Sequence, residues 1–237
     1  MNPVDPKQLP VDFFSVSAEW MRAYPKAHAG MLAIADAANP EHNEELERVK
    51  RELEDDLRRR YAGLDRAGLR SDPVLHAYEE YYRRFDKTYH VQLQLESILL
   101  KGKSIPSGAG LVEAMFMAEI ESRLLTAGHD LAALRGKLRL DVATGSESYV
   151  LLRGTPQATK AGDMMISDEL GIISSIVYGP DQRTQIRADT HEAVFTVYAP
   201  TGIQPEDVEA HLEKILAYAR ILAPGVRNLG LQIFPNA

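Results

Sequence analysis

The chain contains no cysteine, and this absence excludes several kinds of chemistry. Without thiols it can form no disulfide framework, present no thiolate nucleophile and hold no zinc through cysteine. It also lacks an uninterrupted apolar run of about 18 residues, the length that a membrane-spanning helix requires. The first residues lack the basic and apolar stretches of a secretory signal. These absences lead us to expect a cytoplasmic protein that makes no contact with a membrane.

Motifs that mark well-known enzyme classes are missing as well. We find no glycine-rich phosphate loop with its lysine, no His-Glu-x-x-His, no nucleophile elbow and no dinucleotide fingerprint. The seven histidines are scattered, and none has a second histidine beside it to build a metal site. The sequence therefore predicts no metal and no cofactor, and it leaves the catalytic residue unknown.

The charge balance is acidic, with 34 aspartates and glutamates against 27 lysines and arginines. Proteins that grip nucleic acid through its phosphates usually present a basic face. We therefore expect no DNA binding, and any RNA contact would need a local basic patch. Residues 78–85 combine three tyrosines with Arg83 and Arg84. This stretch suits base stacking beside phosphates, but we favour an amphipathic helix with its tyrosines turned inward.

Helical periodicity dominates the first half of the chain. In residues 44–64, apolar side chains recur at three- and four-residue spacing among charged ones. Asp72 followed by Pro73 is typical of a helix start, with the aspartate as cap and the proline in the first turn. Further helices are predicted over residues 17–24, 91–100 and 110–125, and from residue 205 onward.

Alternation with a period of two replaces the helical pattern from Leu138 onward. Residues 138–142 alternate as a half-buried strand should, whereas residues 29–35 and 193–198 are apolar throughout, as in a strand covered on both faces. Other strands are predicted over residues 11–16, 149–152, 164–166, 172–177 and 229–234. The predicted fold class is α+β, a single domain over 1–237 with antiparallel or mixed sheets flanked by helices and a helical insertion near 41–104.

A cluster of polar residues follows the apolar run that ends at residue 177: Tyr178, Gly179, Asp181 and Arg183. Polar groups held between two core strands can form the floor of a binding pocket. There Arg183 would offer paired donors to a carboxylate or phosphate, and Asp181 would accept an amine. The alternative is an ordinary hairpin turn in which Arg183 pairs with Asp181.

Two other polar stretches flank predicted strands. Gly128 allows a close backbone approach, and His129 beside Asp130 would present a polarised imidazole. Alternatively, Asp130 only caps a short helix that follows it. Thr190 and His191 stand at a strand start, where the threonine hydroxyl can bond a ligand or the turn backbone. We expect these stretches and the Arg183 segment to converge on one concave surface.

A series of short motifs runs along the second half of the chain. In order they are Lys101-Gly-Lys-Ser-Ile-Pro106, Gly108-Ala-Gly-Leu-Val112, Gly128-His-Asp-Leu131, Gly136-Lys-Leu-Arg-Leu140, Ala161-Gly-Asp163, Asp168-Glu-Leu-Gly171 and Arg183-Thr-Gln-Ile-Arg-Ala-Asp-Thr190. This order resembles the free-standing relatives of the B3/B4 region of the bacterial phenylalanyl-tRNA synthetase β subunit. The resemblance covers residues 90–235 and the first strands.

In that synthetase, the B3/B4 region is an editing domain that hydrolyses tyrosine wrongly attached to phenylalanine tRNA. The resemblance therefore implies a pocket for an amino acid or an aminoacyl-tRNA around Gly128, Asp130, Tyr178, Gly179 and Thr190.

This chain departs from the family at two pocket positions. The family's pocket glutamate falls near Thr196 and its pocket histidine near Ala127, so those two roles are not carried over.

Three functions stay open. The first is an editing-domain homologue that binds aminoacyl-tRNA and hydrolyses its ester, with the carbonyl held by backbone N–H groups near Gly179. The second is a non-catalytic module for a small amino-acid-like metabolite, which the acidic balance favours because tRNA capture benefits from positive surface. The third is protein interaction through the tyrosine-rich helix.

Overall fold

A computed structural model describes residues 9–235 of the 237-residue chain. The α-helices of this part are α1 (Ala18–Ala23), α2 (Glu44–Arg60), α3 (Arg66–Arg70), α4 (Pro73–Arg83), α5 (His90–Lys101), α6 (Gly110–Ser122) and α7 (Pro205–Leu222). The strands are β1 (Phe14–Val16), β2 (His28–Ala35), β3 (Thr126–Asp130), β4 (Leu138–Val142), β5 (Ser148–Val150), β6 (Pro156–Ala158), β7 (Met164–Asp168), β8 (Gly171–Ser175), β9 (Gly179–Pro180), β10 (Ala193–Ala199) and β11 (Arg227–Phe234). No helix in this part is both long enough and apolar enough to cross a membrane.

A four-stranded antiparallel sheet forms the centre of the core, in the order β11-β2-β10-β3. Strand β10 is buried along its whole length, and β2 is buried except at its first residue, as their continuous apolar sequences predict. One face packs against α7 so closely that a Cβ on Gly30 would lie 2.5 Å from Val208 Cγ1. Only glycine fits there without displacing the helix, because the contact is far inside van der Waals distance.

The second sheet is mixed and has five strands, in the order β1-β4-β7-β8-β9. Strand β1 runs parallel to β4, and the other pairs are antiparallel. In β4, Leu138 and Leu140 point into the core while Arg139 is exposed, which is the predicted alternation. Strands β5 and β6 form a separate two-stranded sheet. The predicted α+β class with antiparallel and mixed sheets is confirmed.

Helices α2 to α5 form the predicted insertion between β2 and α6. On α4, Tyr78, Tyr81 and Tyr82 are buried and Arg83 is exposed, so the amphipathic interpretation of this stretch is confirmed. The tyrosine hydroxyls find acceptors outside the insertion, as buried phenols generally must. Tyr78 donates to the carbonyl of Tyr198 in the four-stranded sheet. The insertion is thereby hydrogen-bonded to the core.

Several element ends differ from the sequence prediction. Helix α2 stops at Arg60 instead of residue 64, and Gly63 follows with a left-handed φ of 81°. Strand β1 begins at Phe14 instead of residue 11, because the preceding residues form a turn. Strand β8 ends at Ser175, two residues early. The Ile176 N–H still donates to the Met164 carbonyl of β7, but the N–H groups of Val177 and Tyr178 bond the side chains of Asp163 and Ser175. Side-chain acceptors therefore replace strand acceptors from Val177 onward.

Candidate functional site

Residues 128–130 and the Arg183 segment, both singled out from the sequence, lie in direct contact. The backbone N–H of Asp130 donates to the carbonyl oxygen of Thr184 at 2.8 Å. His129 Nδ1 lies 2.7 Å from the hydroxyl oxygen of Thr184. The end of β3 and the segment after β9 are therefore joined by both backbone and side-chain hydrogen bonds.

Asp130 and Thr190 hold this junction together. The Thr190 hydroxyl donates to Asp130 Oδ2 at 2.7 Å and accepts from the Arg187 N–H at 2.9 Å. The other oxygen of Asp130 accepts from the N–H of Ala132 at 2.9 Å and caps the short helical turn Leu131–Ala133. The predicted capping role is thus present. The side chains of Asp130 and Thr190 therefore make their hydrogen bonds within the protein.

Protein atoms fill the space where we expected a concave surface. His129 is fully buried, and this burial, with the nearby positive charge of Arg183, lowers the pKa of its imidazole to about 3. Its Nε2 has no hydrogen-bond partner within the part of the chain that the structure describes. A Cβ on Gly128 would lie 2.8 Å from Ile186 Cδ1 and 3.2 Å from Met115 Sδ. The two segments therefore pack directly against each other, and the open space lies to one side of this junction.

Arg183 is held in place by its own network. Its Nη2 donates to Asp168 Oδ1 at 2.8 Å, and its Nη1 donates to the carbonyl of Ala133 at 3.0 Å. The predicted pairing with Asp181 is the longer one, at 3.7 Å between Nε and Oδ2. Asp181 Oδ1 instead accepts from the N–H of Thr184 at 3.1 Å and from its hydroxyl. The guanidinium is therefore held by these bonds, and the side chain stays partly exposed.

An open groove of about 460 Å³ runs along the outer side of this segment. We call it the 181–187 groove. The side chains that matter for its chemistry are Val150, Leu170, Ile172, Asp181, Arg183 and Arg187. Val150 and Leu170 are 42% and 66% exposed, and both line this groove. Arg187 is exposed and forms no ion pair with any residue between 9 and 235.

The groove offers little of what ester hydrolysis requires. The N–H groups of Asp181 and Gln182 donate to the carbonyls of Ile173 and Val150, at 2.7 and 2.9 Å. They are therefore not free to stabilise an oxyanion, and the described residues lining the groove include no histidine. Burial raises the pKa of Asp181, while its hydrogen bonds from Thr184 and the charge of Arg183 oppose the shift.

The other predicted site residues lie outside this groove. Tyr178 is half-buried, and Lys87 Nζ lies 5.6 Å from its ring centroid. Gly179 has a φ of 82°, a conformation that favours glycine, and its carbonyl accepts from the Tyr149 hydroxyl at 2.8 Å. His191 Nδ1 lies 2.9 Å from the carbonyl of Ala37. Of the predicted residues, only Asp181 and Arg183 line the groove.

A serine–histidine pair that the sequence did not reveal lies between α6 and α7. Ser122 Oγ is 2.6 Å from His211 Nδ1, and Thr126 Oγ1 is 2.6 Å from His211 Nε2. The Ser122 hydroxyl also lies 2.7 Å from the carbonyl of Ala118, to which it donates. His211 Nδ1 must then carry the proton and donate to Ser122, so the histidine is not acting as a base toward it. The ring is fully buried, and the pair stabilises the packing of the two helices.

The residues that the sequence missed carry weak signals of their own. Arg187 lies in the Arg183–Thr190 motif, but nothing in the motif marks it as unpaired. Val150 ends β5 and Leu170 lies in the turn between β7 and β8, where the sequence does not distinguish an exposed apolar residue from a buried one. Within residues 9–235, no group of three potential ligands among histidine, aspartate and glutamate is placed to hold a metal ion.

Neither a family model nor a curated protein matches this chain. Among solved structures, it is similar to an N-terminal fragment of the phenylalanyl-tRNA synthetase β subunit from Pyrococcus horikoshii, with a TM-score of 0.51 and 10% sequence identity. The similarity covers 97% of this chain and 56% of that one, so this chain spans little more than half of the fragment. At such low identity the likeness shows the fold alone.

Proposed function

We propose that this protein binds a small amino-acid-like ligand in the 181–187 groove and does not react with it. The observation that carries the proposal is the exposed Arg187, which has no ion pair in the described chain and lies beside an apolar wall. An unpaired guanidinium offers planar, paired donors that match a carboxylate. Arg183, already held by Asp168, adds a second positive charge at a fixed position.

The groove also has partners for the other two parts of an amino acid. Val150, Leu170 and Ile172 can cover an apolar side chain, and each square ångström so buried contributes roughly 25 cal/mol. Both hydrogen bonds from Thr184 go to Asp181 Oδ1, and Asp181 Oδ2 lies 3.7 Å from Arg183 Nε. That oxygen is the acceptor we assign to the ligand's ammonium group.

Binding without reaction is favoured because the catalytic parts are missing from the groove. The N–H groups of Asp181 and Gln182 already have acceptors within the protein, and His129 is fully buried in the core. A hydrolase would need a base within hydrogen-bonding reach of an attacking water. The groove offers only the carboxylate of Asp181 for that role.

The test is thermal unfolding in the presence of individual amino acids. A ligand at one hundred times its dissociation constant stabilises the folded state by about 2.7 kcal/mol, which raises Tm by roughly 5–10 °C for a chain of this size. Arg187→Ala should abolish that shift. Arg220→Ala is the matched control, because Arg220 is also exposed and unpaired within residues 9–235 but lies at the end of α7. Equal shifts in both variants, or none with the unaltered protein, would contradict the proposal.

A second candidate function is binding of aminoacyl-tRNA, with hydrolysis of the mischarged ester in trans in the cytoplasm. It is supported by the fold likeness to the synthetase β-subunit fragment. The amino acid would occupy the same groove, and the RNA would extend from it. Incubation with several mischarged tRNAs tests the reaction. Release no faster than spontaneous hydrolysis for every tRNA would exclude hydrolysis and leave ligand binding in place.

A further inference from the structure

Three basic side chains meet at one edge of the helical insertion, around Phe85. Arg84, the residue after α4, has its Cζ 5.5 Å from the Phe85 ring centroid. Lys160, in the turn before β7, donates from Nζ to the Phe85 carbonyl at 3.0 Å. Lys87 places its Nζ 5.6 Å from the ring of Tyr178. We call Arg84, Lys87, Lys160 and Tyr178 the Tyr178 surface.

The positive charge of this surface is not neutralised by ion pairs. Basic residues on α2, such as Arg48, pair with carboxylates of their own helix. Within residues 9–235, by contrast, Arg84, Lys87 and Lys160 form no ion pair. The nearby carboxylates are the exposed Asp86 and the buried Asp163, which accepts the Val177 N–H, so three cations against two carboxylates still leave a positive excess. In a chain whose net charge is −7, such an excess marks a place for an anionic partner.

An aromatic ring lies within this positive patch. Tyr178 is half-buried, its N–H is held by Ser175 Oγ at 3.2 Å, and one ring face lies near the Lys87 ammonium. Arg84 Cζ lies in the same way 5.3 Å from the ring centroid of Tyr24. Aromatic rings among cations are the common arrangement for single-stranded nucleic acid, because the cations take the phosphates and the ring stacks on a base.

We infer that the Tyr178 surface contacts a single-stranded segment of RNA, with phosphates on Arg84, Lys87 and Lys160 and one base on Tyr178. This inference rests on the second candidate function and deepens it. Tyr178 lies three residues before Asp181, and the Tyr149 side chain joins the two places by lining the groove and bonding the Gly179 carbonyl. An RNA end on this surface would therefore direct its attached amino acid into the groove.

The experiment measures binding of a fluorescent single-stranded RNA oligonucleotide by anisotropy across a salt series. Each phosphate neutralised on single-stranded nucleic acid contributes about 0.7 to the slope of log K against log salt. The triple variant R84A/K87A/K160A should reduce that slope by about 2. Tyr178→Leu should weaken binding about tenfold with the slope unchanged, because it removes stacking and no charge.

The matched control is the triple variant R51A/K101A/R220A. It removes the same charge from exposed cations that form no ion pair within residues 9–235 and lie away from this surface. An equal loss of slope in the control, no binding by the unaltered protein, or equal competition by polyglutamate would overturn the inference. R84A/K87A/K160A removes the Lys160 bond to the Phe85 carbonyl and the Arg84 contact with the Phe85 ring, so the melting temperature of each variant is measured first and binding is compared at a temperature where all are folded. If amino acids still raise the melting temperature of R84A/K87A/K160A, this surface and the groove act independently. If amino acids do not raise the melting temperature of the unaltered protein but RNA binding is salt-dependent, only the proposal for the groove is contradicted.

Discussion

Removing the hydroxyl of Tyr81 should destabilise the protein by an amount that depends on pH. This hydroxyl donates to Asp163 Oδ1 at 2.7 Å and accepts from the Met164 N–H at 2.7 Å, and all three groups are buried. Asp163 is fully buried, and this burial raises the pKa of its carboxyl to about 6, although the hydrogen bond from Tyr81 opposes the shift. The strength of the Tyr81 bond therefore varies with the charge state of Asp163.

The direction follows from the raised pKa. In the unfolded chain the carboxyl ionises at about pH 3.9, so between that pH and about 6 the folded state binds more protons. Stability must then fall as the pH rises through this window, by roughly 3 kcal/mol for a shift of about two units. Above about pH 6 the Asp163 carboxylate is charged, so the hydrogen bond from the Tyr81 hydroxyl contributes most to stability there. Tyr81→Phe should cost about 1 kcal/mol near pH 5 and about 2–3 kcal/mol near pH 7.5.

Tyr78 provides a matched control on the same helix. Its hydroxyl also accepts a backbone N–H, from Leu125 at 3.0 Å, but it donates to the uncharged carbonyl of Tyr198. Tyr78→Phe should therefore cost a similar amount at both pH values, about 1–2 kcal/mol. Urea unfolding of both variants near pH 5 and pH 7.5 measures the difference. If the penalty for Tyr81→Phe does not grow with pH relative to that for Tyr78→Phe, Asp163 does not ionise as its burial implies.

Two further predictions concern other buried charges. Burial raises the pKa of Glu119 to about 8, so the protein should lose stability as the pH rises from about 4.5 to 8. Glu119→Gln keeps an acceptor for the Thr126 N–H, which lies 2.7 Å from the Glu119 oxygen. Urea unfolding of this variant should show that part of the pH dependence abolished. Lys50 is buried and pairs at 2.7 Å with both Glu47 and Glu113, so Lys50→Met should cost about 3–5 kcal/mol by leaving a buried carboxylate unpaired. For that second change, a melting temperature within a degree of the original would contradict the assigned burial.

Local signals predicted the secondary structure well where they were strong. Asp72 caps α4 with Pro73 in the first turn, Ser17 caps α1, and Asp130 caps its helical turn. Each cap needs only a side-chain oxygen and N–H groups a few residues away, so the chain carries the whole interaction locally. Element ends were less predictable: beyond β8, the Val177 N–H bonds the side chain of Asp163, fourteen residues earlier, instead of continuing the strand pairing.

The candidate site was predicted only in part. Asp181 and Arg183 were identified from their residue types, and both line the groove. His129, Thr190 and Asp130 belong to the same junction but form its hydrogen bonds instead of an open surface. A polar residue has the same identity in either role, so its neighbours in space decide whether it meets a ligand.

The amino-acid sequence by itself determined the α+β class, the helical insertion and the inward tyrosines of α4, because periodicity and capping act over a few residues. The tertiary structure decided which polar groups stay accessible. Arg183 is held by Asp168 from another strand, whereas Arg187 has no ion pair within residues 9–235, and no local pattern separates the two. The groove exists because distant strands bring exposed apolar residues beside that arginine, and such long-range contacts arise only from the packing of the whole chain.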